Sequence, residues 1–402
     1  MNLLHKKILF CVTGGIAAYK APEILHRWIK AGCDVETILT EAAEEFVSPL
    51  VLSTLSKKRV WRERDFLCAE YGWQIPHISL TEWADLVVVA PAAANALRIA
   101  AVGDSSTLFG ATLVANTKQL LIFPAMNENM LQNPAVQSHI RELRERGAIV
   151  VDPDFGLLAC SSSGKGRLPS YNVIDDYVEM ALSPKKDFTG KKVLVTAGPT
   201  HEYIDPVRFI SNPSSGKMGY AIAKQAWNRG AAVTLVSGPV SLRKPTGIEV
   251  VNVTSADEMY DACLSRAAGF DVIVKAAAVG DYRPAHAEKQ KIKRGHDEKF
   301  VLDLVQNRDI AAALGSVKSE KQILIGFAAE TQNVQQNALK KLAEKNLDVI
   351  VSNDVLADGA GFGVDTNKIT VTTRNGKTYH FNGTKNAAAD AILNVATELI
   401  VR

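Results

Sequence analysis

Two stretches of this chain begin in the same way. Lys6-Lys7-Ile8-Leu9 leads to Thr13-Gly14-Gly15, and Lys191-Lys192-Val193-Leu194 leads to Thr196-Ala197-Gly198. Each is a short apolar run that ends in a Gly loop and feeds a helical pattern, the opening of a parallel α/β unit. A chain that makes this move twice is constrained to two such units. At 402 residues it is also too long for one ordinary core. We place domains at 1–189 and 190–402, joined through the polar Ser183-Pro-Lys-Lys-Asp-Phe-Thr-Gly190 stretch.

Strands are predicted in the first half at 7–12, 34–39, 86–90, 120–124 and 148–151, alternating with helices at 18–31, 91–101 and 135–146. Leu86-Val-Val-Val-Ala90 is apolar throughout, as a central parallel strand covered on both faces requires. The second half repeats the pattern with strands at 192–196, 232–237, 249–253, 272–276, 322–328 and 349–353. It ends differently: strands at 368–373 and 377–381 flank Arg374-Asn375-Gly376, a tight hairpin turn, and a last helix covers about 385–399. The expected fold class is therefore α/β: two doubly wound domains, the second carrying a β-hairpin.

Apolar residues make up 47% and charged residues 22%, as in a globular protein in water. A net charge of +3 gives no bulk attraction to nucleic acid. The five Cys are odd in number and lack C-x-x-C spacing, which points to a reducing compartment and away from structural zinc. No apolar run approaches the roughly 18–20 residues that span a membrane. Ile8–Val12 is too short for a signal segment. The expectation is a cytoplasmic protein with no membrane or nucleic-acid partner.

The Gly14-Gly15-Ile16 loop opens a helix and suits an anion or a cofactor phosphate, or simply a tight turn. His77 stands just before a predicted helix; a lone His is more often structural than catalytic. Asn127, in Pro124-Ala-Met-Asn127, follows a buried strand at the end where open sheets bind ligands, and its amide is both donor and acceptor. Cys160 lies in a Ser- and Gly-rich loop, where a thiol is more reactive than in a core strand.

Taken in order, these residues resemble the phosphopantothenoylcysteine decarboxylase family of flavoproteins. The resemblance implies a flavodoxin-like, Rossmann-like domain with FMN near Gly14, Gly15, Ile16, Thr40, Ala90 and Asn95. It also implies His77 as base, Asn127 as binder of the substrate carboxylate and Cys160 as proton donor on a closing flap. Loss of CO2 from a cysteine carboxylate needs an electron sink, which a flavin supplies by taking up and returning a hydride. Departures from the family pattern are Ala93 for Thr, Thr107–Ala111 for an acidic residue, Leu and a hydroxyl pair, and Ser161-Ser162-Ser163 in the flap.

The second Gly loop is longer and richer. Gly198 to Gly216 runs from a strand into a helix starting near Lys217, with Ser214-Ser215-Gly216 at its end, a suitable cradle for phosphate or carboxylate. The segment D-P-V-R-F-I-S-N-P-S-S-G-K-M-G resembles the phosphopantothenate–cysteine ligase domain. So do Ala276-Ala-Ala-Val-Gly-Asp281-Tyr-Arg, Lys291-Ile-Lys-Arg294, Gly326-Phe-Ala-Ala-Glu-Thr331 and Ser352-Asn-Asp354. The chain as a whole resembles the bacterial bifunctional enzymes of coenzyme A synthesis.

That resemblance implies a Rossmann-like ligase acting on 4′-phosphopantothenate, cysteine and CTP with Mg2+. Asn212 would orient an acyl-cytidylate held by Ser214, Ser215, Gly216 and Lys217. Lys291 would reach in from a flap. Asp281 would contact the ribose or carry the metal. Ala277, Arg308, Asp309, Ile310 and Phe327 would surround the base, and Lys341 and Lys345 would grip phosphates. Positive groups at a transferring phosphate are what such chemistry needs. Ligase dimers and decarboxylase trimers, up to a dodecamer, are the implied homo-oligomers. Two rivals are an active ligase with a purely structural first domain, and a phosphatase-regulating relative, which would carry a long acidic tail. The Lys289–Lys299 run by itself reads as a solvated charged surface; the preceding Ala276-Ala-Ala-Val-Gly-Asp281-Tyr-Arg turns the reading toward a substrate-closing flap.

Overall fold

The protein is described from a computed structural model, which covers residues 3–159, 163–293, 300–330, 334–354 and 364–400. The chain divides into two compact units, Met1–Ser183 and Pro184–Arg402.

In the first unit six strands make one parallel sheet: β1 (Lys7–Val12), β2 (Asp34–Leu39), β3 (Val60–Arg62), β4 (Leu86–Ala92), β5 (Gln119–Pro124) and β6 (Ile149–Val150), in the order β3-β2-β1-β4-β5-β6. Ile8, Phe10 and Val12 enter one core while Leu9 and Cys11 enter the other. With roughly 1.5–3 kcal/mol gained per buried large apolar side chain, such strands hold no polar position on either face. The helices are α1 (Ala21–Lys30), α2 (Glu41–Glu44), α3 (Pro49–Ser56), α4 (Pro76–Trp83), α5 (Ala94–Val102), α6 (Leu108–Ala115), α7 (Glu128–Gln132), α8 (Pro134–Glu145) and α9 (Tyr171–Ala181). α1, α3 and α9 cover one face; α4, α5, α6, α7 and α8 cover the other. Trp28 is fully buried there because its indole N–H reaches Asp175 at 3.1 Å.

Three local expectations are corrected. Pro91 belongs to β4, and the helix begins only at Ala94, because Thr13 holds the strand end through Pro91 and Ala93. Of the stretch 157–168 expected as a loop, Ser163–Arg167 is strand β8, paired with β7 (Asp154–Leu157). The two strands are short, and Gly and Ser give them no apolar alternation that a strand pattern would show. Phe188, inside the expected linker, is buried in the second unit's core, and Asp187 pairs with the buried Arg229 at 2.6 Å.

The second unit has an eight-stranded sheet, ordered β13-β12-β9-β14-β17-β18-β19-β20. Its strands are β9 (Lys192–Ala197), β12 (Ala232–Ser237), β13 (Glu249–Asn252), β14 (Val272–Lys275), β17 (Ile323–Glu330), β18 (Val349–Asp354), β19 (Thr366–Thr373) and β20 (Thr378–Thr384). The strands through β18 are parallel; β19 and β20 are antiparallel and turn at Asn375-Gly376. Two short pairs stand outside the sheet: β10 (Glu202–Tyr203) with β11 (Phe209–Ile210), and β15 (Tyr282–Pro284) with β16 (Leu304–Gln306). The helices are α10 (Lys217–Asn228), α11 (Ala256–Leu264), α12 (Ile310–Val317), α13 (Val334–Glu344) and α14 (Lys385–Ile400). α10 and α14 pack on one face; α11 and α12 pack on the other.

Candidate functional sites

In both sheets the strand order reverses between the first strand and its neighbour: β1 and β4 in one unit, β9 and β14 in the other. The crevice beyond the C-terminal ends of such strands is where open α/β sheets take ligands.

In the first unit, Gly14 and Gly15 follow β1, Thr40 follows β2, Ala90 lies buried within β4, Asn95 opens α5 and Asn127 follows β5. All stand at that one edge. The Thr13 hydroxyl stitches the two central loops, donating to Pro91 O at 2.8 Å and accepting from Ala93 N at 3.1 Å. At Gly14 a Cβ would lie 2.5 Å from the Ala42 Cβ, so only glycine lets β1 turn beneath α2. Two polar atoms at this edge, Thr40 Oγ1 and His77 Nδ1, are buried and lack a hydrogen-bond partner among the described residues. Orphan groups of this kind call for a ligand or water. His77 sits at the head of α4, edge-on to Phe66 at 5.5 Å, and α4 runs from the ligand edge back to the start of β4.

Asn127 caps α7 by accepting from Asn129 N at 2.9 Å. Its loop is fastened to β8: Met126 N donates to Gly166 O at 3.0 Å and Lys165 N to Glu128 Oε1 at 3.1 Å. The structure thus brings Asn127 against the β7–β8 hairpin. Cys160, Ser161 and Ser162 themselves lie outside the described residues.

The residues at 107–111 have defined local partners. Thr107 caps α6 through Gly110 N at 3.0 Å, and Leu108 N donates to both oxygens of Glu63 at 2.9 and 3.1 Å. Burial pushes the Glu63 carboxyl up, and the Leu108 bond opposes this. At Gly110 a Cβ would overlap the Asp104 carbonyl oxygen, so no larger residue fits.

In the second unit, Asn212 Nδ2 donates to Ala278 O at 3.3 Å and Val279 O at 3.1 Å. Two carbonyls demand a donor, so the amide's orientation is set and its oxygen is left as an acceptor. Ala278 N donates to Gly198 O, Gly280 N to the Thr200 hydroxyl, and Ala277 N to the Thr196 hydroxyl, at 2.9, 2.9 and 3.1 Å. These bonds sew the β9 and β14 loops together across the crevice. Gly216, at φ +76°, ends the loop in a left-handed turn, where a Cβ would stand 3.3 Å from Gly198 N. Ser214 Oγ accepts from Gly216 N at 3.3 Å, and Lys217 pairs with Asp365 at 2.7 Å. A cavity of about 590 Å3 opens here, lined by His201, Phe209, Asn212, Ser214, Ser215 and Lys217 among others, with His201 stacked flat on Phe209 at 3.7 Å.

The residues expected around the base divide. Asp309 caps α12 through Ala311 N and Ala312 N, both at 3.0 Å, and its other oxygen pairs with Lys345 at 2.8 Å. Burial raises its carboxyl, and Lys345 with the cap bonds outweighs this and holds it below the usual range. Ile310 is buried, and Phe327 packs partly buried on the α10–α14 face. The Arg308 guanidinium is turned onto α11, at 2.8 Å from Asp257 and 3.0 Å from Asp261, over the Tyr260 ring. Lys341 is in the last turn of α13. Asp281 is exposed, and its main-chain oxygen accepts from Asn307 N at 2.8 Å. Among the described residues there is no group of three or more His, Cys, Asp or Glu placed to hold a metal ion.

Residues 188–399 match the family described as DNA/pantothenate metabolism flavoprotein C-terminal domain, and residues 1–183 match the flavoprotein family. The coenzyme A biosynthesis bifunctional protein CoaBC of Bacillus subtilis is 45% identical over 93% of this chain and 92% of its own length. The protein of the same description in Vibrio parahaemolyticus is 40% identical over 99% of this chain and 100% of its own. The chain belongs to the coenzyme A biosynthesis bifunctional protein family. A crystal structure of the C-terminal domain of such a protein is 42% identical and covers 54% of this chain and 98% of that one, at a TM-score of 0.46.

Within this family frame, three residues at the two sites were not singled out by sequence. Thr13 and Glu63 act through main-chain partners, a role no motif advertises. Asp205, in D-P-V-R, is buried and accepts from the N–H groups of Val207 and Arg208 at 2.8 Å and of Ile292 at 3.1 Å. An Asp ahead of a Pro in a loop is the available signal, since such residues close turns with their own side chains.

Proposed function

We infer that this chain is a bifunctional enzyme of coenzyme A synthesis, whose second unit ligates 4′-phosphopantothenate to cysteine and whose first unit decarboxylates the product. The membership of the whole chain in one family supports both activities. The observation that carries the ligase site is Asn212, pinned between two carbonyls with its own oxygen left to a ligand, beside the Ser214–Lys217 turn.

In the ligase, Asn212 orients the acyl-cytidylate formed from CTP. The Ser214-Ser215-Gly216 turn and the head of α10 receive its phosphate, as a helix N-terminus favours. Lys217, Lys291, Lys341 and Lys345 neutralise phosphate charge. Ala277, Phe327 and the main chain of Arg308, Asp309 and Ile310 border the base, since the Arg308 side chain is engaged by Asp257 and Asp261. Mg2+ would arrive with the triphosphate, Asp281 being one carboxylate of the kind that accompanies phosphate oxygens at such sites.

In the first unit the residues present fit a flavin: a crowded Gly14 turn, the orphan Thr40 hydroxyl and the loop at the head of α5. FMN, when bound, supplies the electron sink for loss of CO2. Gly14, Gly15, Ile16, Thr40, Ala90 and Asn95 would hold it. His77, whose Nδ1 awaits a partner, holds the proton removed from substrate. Asn127 binds the carboxylate, and Cys160 returns a proton. A cytoplasmic homo-oligomer goes with this reading. Among the described residues no helix is long and apolar enough to cross a membrane.

The test is incubation with phosphopantothenate, cysteine, CTP, Mg2+ and FMN, followed by mass analysis. Phosphopantetheine, with CMP, pyrophosphate and CO2, is expected. Absence of any cysteine adduct would overturn the ligase. A second reading keeps the ligase and makes the first unit structural. An adduct that accumulates undecarboxylated in a colourless protein would select it.

A further inference from the structure

We propose that Asp205 is a positioning residue for Lys291: one carboxylate oxygen builds a turn and the other grips the main chain beside that lysine. The proposal rests on the ligase reading, in which Lys291 meets the nucleotide.

Asp205 is 1% exposed, yet carries a full set of partners. Its Oδ1 accepts from Val207 N and Arg208 N, both at 2.8 Å, closing the turn between β10 and β11. Its Oδ2 accepts from Ile292 N at 3.1 Å and lies 3.1 Å from Arg208 Nε. Two further bonds run alongside: Glu288 N donates to Ile204 O at 2.9 Å, and Arg208 Nη2 donates to Ile292 O. The segment 288–292 is thus laid along 204–208. The peptide group that Asp205 grips is the one joining Lys291 to Ile292, so the bond orients the backbone from which the Lys291 side chain springs. Lys291 is exposed, and its segment forms no helix or strand among the described residues. A charge-assisted bond to a main-chain N–H is among the stronger ties available to such a segment. Burial alone would push the Asp205 carboxyl up; the N–H groups of Val207, Ile292 and Arg208 hold it below the usual range, so the grip persists throughout neutral pH.

Asp205→Asn separates the two functions of the carboxylate. The remaining amide oxygen can keep the turn, while the NH2 group faces the Ile292 N–H, donor against donor. The expected result is a fall in ligase kcat of about tenfold or more, with the KM for CTP moved less than about threefold. In a Lys291→Ala background the same substitution should change kcat less than about twofold, because two groups acting as one unit are not additive. Asp205→Glu, which keeps the charge, should restore part of the rate. Equal losses in both backgrounds, or no loss in the otherwise native chain, would overturn the proposal. If Lys291→Ala by itself leaves kcat unchanged, the assignment of Lys291 fails first, and is seen to fail before Asp205 is touched. Limited trypsin digestion of the full chain gives a readout independent of activity. Cleavage after Lys289, Lys291 and Lys293 should be about tenfold faster in Asp205→Asn, with other sites unchanged. Unchanged cleavage there would also refute the grip.

Discussion

At the scale of single residues, Asn212 is the group most narrowly set by its surroundings. Its NH2 is committed to Ala278 O and Val279 O, so Asn212→Asp places a carboxylate against two carbonyls and should release the loop as well as the ligand. Asn212→Ala should lower the ligase rate by about 10²-fold, the scale of losing one preorganised polar group. CTP-dependent pyrophosphate release measures it, and a rate within threefold of the native one would contradict the assignment. His77→Ala should leave that release intact while decarboxylation falls about 10²-fold. The cysteine adduct then accumulates, visible by mass. If both activities fell together, His77 would be supporting the fold and not the chemistry.

At the scale of elements, the tie between α10 and α14 is the most consequential. Arg229, 1% exposed, reaches Asp187 at 2.6 Å, Asn394 at 3.0 Å and Thr397 at 3.0 Å. Arg229 is buried and Asp187 is exposed, so Arg229→Met strands no buried charge but loses the bonds to Asp187, Asn394 and Thr397, and should cost about 1–3 kcal/mol and lower the melting temperature of the second unit. Burial raises the Asp187 carboxyl and the Arg229 bonds outweigh it, leaving a value below the ordinary 3.8. A depressed carboxylate stabilises the fold fully above its unfolded value and loses that contribution as pH falls through the folded one. The gap between native and Arg229→Met stability should therefore be constant from neutral pH to about 4 and narrow below it. A gap that widened in acid would mean the carboxylate is not the partner that matters.

Elements of this kind also show what was legible in the sequence. β1, β2 and β12 were read to the residue: β1 and β12 are short, mainly apolar runs, and β2 carries Val35, Ile38 and Leu39 into the core between polar positions. The site loops were legible for the same reason, since they are the turns that follow those strands. The pairs β10–β11 and β7–β8 were not, because they are two to five residues long and present mostly exposed or half-buried side chains, so no apolar run marks them. Asp187 and Phe188 were taken for linker because a polar, Pro-containing stretch looks the same whether it is free or packed. Only the distant Arg229, far along the chain, shows which.

At the scale of the whole molecule, the two units have separate cores and the chain passes from one to the other at Ser183–Pro184. A fragment of residues 184–402 should melt cooperatively and keep ligase activity. A fragment begun at residue 191 forfeits the fully buried Phe188 and the Asp187 pair, and should be less stable by about 3–5 kcal/mol. Thermal unfolding of the two fragments decides this, and equal melting temperatures would show that 184–190 is dispensable.

The carbonyl of Asp104 beneath Gly110 has an evolutionary corollary. A lineage holding this loop cannot place a hydroxyl-bearing side chain at 110 in one step, since its Cβ would sit inside a main-chain oxygen. The loop at 103–106 and position 110 are epistatic, and must drift together or stay as they are. Grafting a serine at 110 into this chain should therefore succeed only when the segment around Asp104 is exchanged with it.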